Sequence, residues 1–214
     1  MILTEISQYL QQGKAKDVKV LVQKALEDHY SPQDILNEGM IAGMQIIGAK
    51  FKKNEVFVPE VLIAARAMNA GLEVLRPILI DSGVKPIGKA IICTVAGDLH
   101  DIGKNLVKMM FEGQGIECLD LGVDVHPTVI IEAIKQHKPD LVCLSALLAT
   151  TMMGQKDVIE ALKQAGLREQ VKVLIGGAPV TMAFAEEIGA DGYAMDAASA
   201  AELAKEILLN KEKI

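Results

Sequence analysis

One short segment of this 214-residue chain carries residues that could bind a ligand, GDLHDIG at 97–103. It follows an apolar, strand-like run at 90–95 and precedes a helix-like run at 105–110. Ligands of parallel α/β sheets collect beyond the carboxyl ends of the strands, so a histidine on this strand-to-helix turn lies where binding residues occur. Asp98 can hold one ring nitrogen of His100 and present the other nitrogen as a metal ligand or a base.

Two later strand ends are expected at the same edge of the sheet. The third strand-like run ends in LSALLATT at 144–151, and the fourth ends in GGAP at 176–179. If strands 1, 3 and 4 are neighbours, His100, Ser145 and the pair Gly176-Gly177 line one crevice. The glycines leave bare backbone there, against which a bulky ligand can lie.

These loops belong to a predicted flavodoxin-like (Rossmann-type) α/β domain with a five-stranded, parallel, doubly wound sheet. Strand-like and helix-like runs alternate beyond residue 88, as is typical of five consecutive βα units. The strand order expected for such a chain is 2-1-3-4-5. Strands are predicted at 89–95, 116–121, 140–146, 171–175 and 191–194, and helices at about 103–113, 127–137, 153–165, 180–188 and 197–210.

The first 82 residues predict a four-helix bundle that precedes the α/β domain. Apolar residues recur there at helical spacing without strand-like alternation. Ser31 followed by Pro32 is typical of a helix start, and Gly39 and Gly43 in that helix would permit a neighbour to approach closely. A fourth helix is expected from about Pro59. The turn-forming stretch 83–88 is the predicted linker, so the domains are 1–82 and 89–214.

Composition and charge narrow the class of protein. A net charge of −6 and the lack of a basic run argue against nucleic acid as the main partner. The longest apolar stretch, 141–149, is too short to cross a bilayer, and the N-terminus lacks the features of a secretory signal. A cytoplasmic protein without a membrane partner is therefore expected. Cys93, Cys118 and Cys143 lack Cys-x-x-Cys spacing and are expected to be three reduced thiols in the core.

Other ligand classes fit the 97–103 segment less well. It is one residue too long for a phosphate loop, continues into Asn105 rather than Ser or Thr, and has Asp98 and Asp101 where phosphates would lie. No Gly-x-Gly-x-x-Gly follows the first strand, which argues against a dinucleotide, and zinc would need two or three more ligands nearby. The acidic pair and lysine of a phosphorelay receiver are missing. A histidine that merely caps the next helix remains the alternative.

The three loop motifs together resemble the signature of base-off, His-on cobalamin-binding domains. The motifs are Asp98-x-His100-x-x-Gly103, Ser145-x-Leu147 and Gly176-Gly177. Such domains occur in cobalamin-dependent methionine synthase, in corrinoid proteins of methyltransferase systems and in some mutases. The runs GMQIIGAKF at 43–51 and FVP at 57–59 resemble the helical cap of the methyl-transfer branch. The likeness covers nearly the whole chain and is greatest to stand-alone corrinoid proteins that carry methyl groups between two methyltransferases.

The resemblance implies a role for each residue around the cobalt of the cofactor. His100 would be the metal ligand, replacing the dimethylbenzimidazole base below cobalt, and Asp98 would hydrogen-bond its other ring nitrogen. Thr151 lies where methionine synthase has a serine that completes this relay. The Asp98–His100 pair would take up a proton when cobalt lets go of the histidine and release it on re-ligation. The cofactor would alternate between methylcobalamin and cob(I)alamin.

The resemblance also implies which residues touch the rest of the cobalamin. Ser145 would hydrogen-bond the displaced nucleotide base, Leu147 would pack on it, and Gly176 and Gly177 would let the tail pass close to strand 4. Ala149 departs from the synthase, which has a threonine near the corrin. Further contacts are expected from Gly97, Leu99, Asp101, Ile102, Gly103, Thr150, Tyr193 and Ala197, and from the cap residues Met44, Phe51, Val58 and Val61.

The implied function is methyl transport in one-carbon metabolism by a subunit that is not a complete enzyme alone. Its expected partners are a substrate-specific methyltransferase, a second methyltransferase that serves tetrahydrofolate or a thiol, and a reductive activase. Two alternatives are a cobalamin-dependent sensor or regulator and the small subunit of an adenosylcobalamin mutase. Light-sensing relatives carry a DNA-binding domain and a tryptophan over the adenosyl ligand, and this chain has no tryptophan. The sequence does not name the methyl donor.

Overall fold

The computed structural model describes residues 2–81 and 85–211, which form two compact units. The helical unit comprises the chain up to Pro86 together with Glu112–Gly115, and the α/β unit comprises the remainder. The turn Glu112–Gly115 lies far along the chain from the other residues of the helical unit, and the sequence pattern did not assign it there. Residues 82–84, at the predicted linker, lie outside the described residues.

The helical unit contains four helical segments within its described part, as the sequence pattern predicts. Ser31 caps the third segment, because its hydroxyl accepts a hydrogen bond from the Asp34 N–H at 3.0 Å and Pro32 occupies the first turn. The segments are α1 (Ile2–Gln11), α2 (Ala15–Glu27), α3 (Pro32–Asp34), which continues through a π-helical stretch (Ile35–Ile41) into α4 (Ala42–Lys52), and α5 (Val58–Asp81).

Close packing of α1 against the third segment depends on two small residues. A Cβ at Gly39 would lie 3.2 Å from the Ile6 side chain, and one at Gly43 would lie 3.1 Å from the Ser7 carbonyl oxygen. Both distances are tighter than ordinary contact, so larger residues would push α1 away. The expectation that these glycines admit a close neighbour is confirmed.

The α/β unit is a parallel five-stranded sheet in the predicted order 2-1-3-4-5. Its strands are β1 (Gly88–Val95), β2 (Ile116–Val125), β3 (Leu141–Ser145), β4 (Lys172–Gly176) and β5 (Gly192–Tyr193). Its helices are α6 (Ile102–Glu112), α7 (Pro127–His137), α8 (Met153–Gln164), α9 (Met182–Ile188) and α10 (Ala197–Lys211), with a short 3₁₀ turn at Arg168–Gln170. None of the described helices is long and apolar enough to span a bilayer.

Strand β2 is longer than predicted and irregular. The pattern ends it at residue 121 because Gly122 and Asp124 are poor strand formers. In the structure it continues to Val125, with register shifts against β1 on either side of Cys93. Gly122 and Asp124 both have positive φ, 88° and 53°, and the irregular pairing accommodates these left-handed residues.

Candidate functional site

The loop that joins β1 to α6 carries the first sequence motif. Its backbone is tied to β1, because the Asp98 N–H donates to the Val95 carbonyl at 3.1 Å and the buried Thr94 hydroxyl donates to the His100 carbonyl at 2.8 Å. Gly97 turns the chain at φ +79°, a conformation that glycine adopts readily. The loop therefore leaves the strand in a single, well-anchored path.

The carboxylate of Asp98 is the centre of a hydrogen-bond network at the strand ends. Its side chain is fully buried, and one oxygen accepts from the His100 backbone N–H at 3.0 Å and pairs with the His100 Nδ1 at 2.7 Å. The other oxygen accepts from the Leu147 N–H at 2.8 Å and the Thr151 hydroxyl at 2.6 Å. Residues of the β1–α6 loop and of the β3–α8 loop thus bind the same buried carboxylate.

These contacts decide the ionisation state of Asp98. Burial raises the pKa of the carboxyl, but hydrogen bonds from the Thr151 hydroxyl, from the backbone and ring of His100 and from the Leu147 N–H outweigh it. The pKa of Asp98 is therefore held well below its usual range, and the residue is a carboxylate at neutral pH. A carboxylate only accepts hydrogen bonds, so the Nδ1 of His100 must carry the proton in this pair.

His100 is presented for binding by this arrangement. Its side chain is 51% exposed although its partner Asp98 is buried. With Nδ1 occupied as a donor, the Nε2 lone pair is the part of the ring available to a metal or to an acid. This geometry argues against the alternative that His100 only caps α6, because its ring is held by a carboxylate.

At the ends of β3 and β4, where the sequence predicts a crevice, the two strands are joined through their backbones. Ser145 lies opposite Gly176 in the sheet, and the Ala146 N–H donates to the Gly176 carbonyl at 3.2 Å. A Cβ on Gly177, which has φ +132°, would lie 1.8 Å from the Ala146 carbonyl oxygen. No side chain fits at Gly177, so the chain after β4 packs directly against the backbone of Ala146.

Gln155, in the first turn of α8, supports this crevice and was not predicted. Its side chain is fully buried, and its amide nitrogen donates to the Leu144 and Gly176 carbonyls, both at 3.0 Å. Its amide oxygen has no hydrogen-bond partner within the described part of the chain. A polar residue on the inner face of a predicted helix is the signal that could have identified it.

Large apolar side chains are exposed around the His100 loop and the β3 loop. Leu99, in the β1–α6 loop, and Ile102, at the start of α6, are 72% and 76% exposed, and Leu147 and Leu148 are each more than 40% exposed. Exposed apolar side chains clustered at a site indicate a surface that a ligand covers. The sequence prediction included Leu99, Ile102 and Leu147 but not Leu148, since chain position alone does not reveal that its side chain is exposed.

Most other predicted contacts lie in the same loops. Ala149 and Thr150 are exposed in the turn before α8, Gly103 lies in the first turn of α6 with open space where a Cβ would be, and Asp101 accepts a hydrogen bond from Asn105 at 3.0 Å. Tyr193 is partly buried at the end of β5, and Ala197 is buried at the start of α10.

The predicted cap residues belong to the helical unit. Met44 and Val61 are buried, and Phe51 and Val58 are partly buried. No group of three or more His, Cys, Asp or Glu side chains that could hold a bare metal ion occurs among the residues that the structure describes. None of the three cysteines forms a disulfide; Cys93 and Cys143 are buried, as predicted, whereas Cys118, also predicted to lie in the core, is only partly buried.

Comparison with known families and structures agrees with this geometry. Residues 88–202 match a family described as "B12 binding domain", and residues 2–76 match a second family of the same description. Over 211 residues the chain is 43% identical to dimethylamine corrinoid protein 2 of Methanosarcina acetivorans, which covers 98% of this chain and 97% of that protein. It is 44% identical over 193 residues to monomethylamine corrinoid protein 1 of the same organism, covering 88% of each.

A solved structure of a cobalamin-dependent methyltransferase complex also resembles this chain. The chain matches the methanol:cobalamin methyltransferase complex MtaBC from Methanosarcina barkeri with a TM-score of 0.85 and 30% identity, over 97% of this chain and 80% of that chain. The two family matches fall on the two structural units, one on each. This chain therefore belongs to the family of B12-binding corrinoid proteins.

Proposed function

We propose that this chain is a methyl carrier that binds cobalamin base-off, with the Nε2 of His100 as the lower ligand of cobalt. The observation that carries this proposal is the buried Asp98 carboxylate fixed on Nδ1 of a half-exposed histidine. The bound corrinoid supplies a cobalt atom that accepts a methyl group and gives it up again. The protein's own residues supply the lower ligand, its orientation and the surrounding surface.

The residues at the strand ends fit such a group. Leu99, Ile102, Leu147 and Leu148 provide an exposed apolar surface beside His100, suited to a large macrocycle. The displaced nucleotide tail is proposed to lie along the ends of β3 and β4, where Ser145 lies opposite Gly176 and both Gly176 and Gly177 are partly exposed. Gly97, Asp101, Gly103, Ala149, Thr150, Gly176, Tyr193 and Ala197 remain proposed contacts.

Asp98 and Thr151 control the histidine. The Asp98 carboxylate orients the ring, fixes its tautomer and favours a proton on the Nδ1 side. The Thr151 hydroxyl has a single proton but two acceptors in reach, the Asp98 oxygen at 2.6 Å and the Leu148 carbonyl at 3.0 Å. It can therefore support a charged Asp98, or turn to Leu148 and accept from a protonated Asp98.

The helical unit is proposed to cover the upper face of the cofactor between transfers. Its proposed covering residues are Met44, Phe51, Val58 and Val61, by resemblance to the cap of methionine synthase. Such a cover would protect a light-sensitive and oxidant-sensitive bond and would have to open for each partner.

Methylamines are the proposed methyl donors, since curated relatives above 40% identity are named dimethylamine and monomethylamine corrinoid proteins. The proposed partners are a methylamine-specific methyltransferase, a second methyltransferase that passes the methyl group to a thiol or to tetrahydrofolate, and a reductive activase. The chain alone does not complete the reaction.

A methyl-transfer assay tests this function. The protein, reconstituted with cobalamin and reduced, is incubated with a dimethylamine or monomethylamine methyltransferase and the matching labelled amine. We expect label on the protein-bound cofactor with the wild type and with His126→Ala, which removes an exposed histidine just before α7, and a large loss of label with His100→Ala. Failure of the wild type with both methylamines, together with transfer from methanol or a methoxylated aromatic, would reassign the donor. Failure with every donor would reject the carrier role.

A further inference from the structure

Asp124, near the end of β2, forms hydrogen bonds with the His100 loop that have no role in the proposed function. Asp124 has φ +53°, a left-handed conformation that is uncommon outside glycine and that aspartate tolerates better than most residues. It lies next to the end of a strand whose pairing with β1 is shifted twice. A residue held in such a conformation at a strand end requires a reason.

Asp124 forms hydrogen bonds with two backbone groups of the loop, one before and one after the Cα atom of Asp98. The Gly97 N–H donates to the Asp124 carboxylate at 2.7 Å, and the Asp124 N–H donates to the Asp98 carbonyl oxygen at 2.9 Å. The left-handed turn is what lets one residue offer its amide and its side chain to the same loop. The two bonds fix the backbone from which the Asp98 side chain projects.

The strand that carries Asp124 is itself anchored by an ion pair between the partly buried Asp120 and the buried Lys104. Asp120 accepts a hydrogen bond from the Gly122 N–H at 2.9 Å and pairs with the Lys104 ammonium at 2.7 Å through both oxygens. Lys104 is only 3% exposed and lies in the first turn of α6. The irregular end of β2 is therefore tied to the helix that follows the His100 loop.

We propose that Asp124 is a positioning residue for His100, acting through Asp98. The inference rests on the proposed function, in which His100 is the cobalt ligand. The Asp98 carboxylate holds the imidazole ring of His100. The ring therefore has a fixed position relative to the sheet only if the backbone of Asp98 is held in place as well. Asp124 supplies that second restraint from β2, on the side opposite the β3 contacts of Leu147 and Thr151.

Three variants separate the possible roles of Asp124. Asp124→Asn keeps an oxygen acceptor and tolerates positive φ, whereas Asp124→Gly keeps the backbone conformation but removes the acceptor. Lys138→Gly is the matched control, because Lys138 also has positive φ, 47°, on the exposed surface at the end of α7. Any effect of simply placing glycine at a left-handed position appears in both glycine variants.

The first readout needs no cofactor. Long-range ¹H–¹⁵N NMR of the unloaded protein in mildly alkaline buffer reports which His100 nitrogen carries the proton. We expect Nδ1–H in the wild type, in Asp124→Asn and in Lys138→Gly. In Asp124→Gly the ratio of the Nδ1–H to the Nε2–H tautomer should fall, by at most about tenfold, because the lost hydrogen bond from Gly97 to Asp124 is worth about 1.4 kcal/mol and acts on the His100 tautomer only through Asp98. The Gly97 amide should also exchange faster.

The second readout uses the loaded protein in the Co(II) state with ¹⁵N-labelled histidine. We expect Asp124→Gly to lower the fraction of cobalt that shows histidine nitrogen coupling, with Asp124→Asn close to the wild type. A wild-type tautomer and wild-type coupling in folded Asp124→Gly would overturn the positioning role. If labelling changes nothing in the wild type itself, the proposed His100 ligation fails instead. If Asp124→Gly does not fold, Asp124→Ala, which also removes the acceptor for the Gly97 N–H, takes its place, and equal tautomer ratios in Asp124→Ala and the wild type would overturn the role.

Discussion

At the scale of single residues, the buried carboxylate of Asp98 explains why one exposed histidine differs from the others in the chain. The Asp98 side chain is removed from water, yet it accepts hydrogen bonds from His100, Leu147 and Thr151. An ionised buried group is stable only when such donors replace its hydration. The same donors lower the pKa of Asp98 and so set the tautomer of His100.

Thr151→Val tests the hydroxyl that contributes to this network. The pKa of Asp98 should rise, because burial then opposes fewer donors, while Thr151→Ser should stay close to the wild type. A carboxyl whose pKa is lowered by folding stabilises the protein above its unfolded pKa, and that stability is lost as pH falls. The variant should therefore be less stable by about 1.5–3 kcal/mol near pH 7. Urea unfolding should show this deficit shrinking in acid; a deficit independent of pH would contradict the argument.

Gln155→Leu tests the support beneath the crevice. The change leaves the carbonyl oxygens of Leu144 and Gly176 without the amide that now donates to both of them. We expect a loss of about 1–3 kcal/mol in the free energy of unfolding and weaker retention of cobalamin on dilution. Gln164→Leu, at the exposed end of α8, is the matched control. Equal stability and retention in the two variants would show that the bridge contributes nothing.

At the scale of secondary structure elements, much of the α/β unit follows from periodicity. The run 90–95 is apolar except for Thr94, because β1 is buried on both faces there, and the βα alternation predicts the strand order that the structure has. The extension of β2 to Val125 was not predicted, because Gly122 and Asp124 are poor strand formers. A periodic pattern records burial, whereas the hydrogen bond from Gly97 to Asp124 at this irregular end joins residues far apart in the chain.

The ion pair between Lys104 and Asp120 joins α6 to β2, and its contribution to stability can be tested by mutation. Asp120→Asn leaves the buried Lys104 ammonium without its charged partner, and we expect a loss of about 3 kcal/mol in unfolding free energy. The double variant Lys104→Met with Asp120→Asn should be less destabilised than Asp120→Asn alone, because no unpaired buried charge remains. Losses that simply add in the double variant would show that the two side chains are not coupled.

At the scale of the whole molecule, two units serve one cofactor under the proposed function. One B12-binding family matches the helical unit and the other matches the α/β unit. The loop motifs were informative because coordination chemistry restricts residue types at fixed positions. The role of the helical unit was harder to read from sequence, because its residues are ordinary apolar side chains whose packing and covering roles look alike.

Phe51→Ala tests the proposed cover. Phe51 is partly buried within the helical unit. If its ring shields the light-sensitive methyl–cobalt bond, the variant should lose the methyl group faster under illumination while keeping its cobalamin and its far-ultraviolet circular dichroism. Tyr30→Ala, which removes an exposed aromatic side chain after α2, is the control. A photolysis rate equal to that of the wild type, in a folded and loaded variant, would mean that Phe51 only packs the helical unit.

The most direct test of the central claim is paramagnetic resonance of the Co(II) form, prepared with natural and with ¹⁵N-labelled histidine. Ligation by His100 predicts that the nitrogen superhyperfine splitting changes from three lines to two on labelling, in the wild type and in His126→Ala. In His100→Ala the labelled and unlabelled spectra should be identical. A three-line splitting that survives labelling in the wild type would mean that another nitrogen, such as the benzimidazole of the cofactor, is the lower ligand, and would contradict this account.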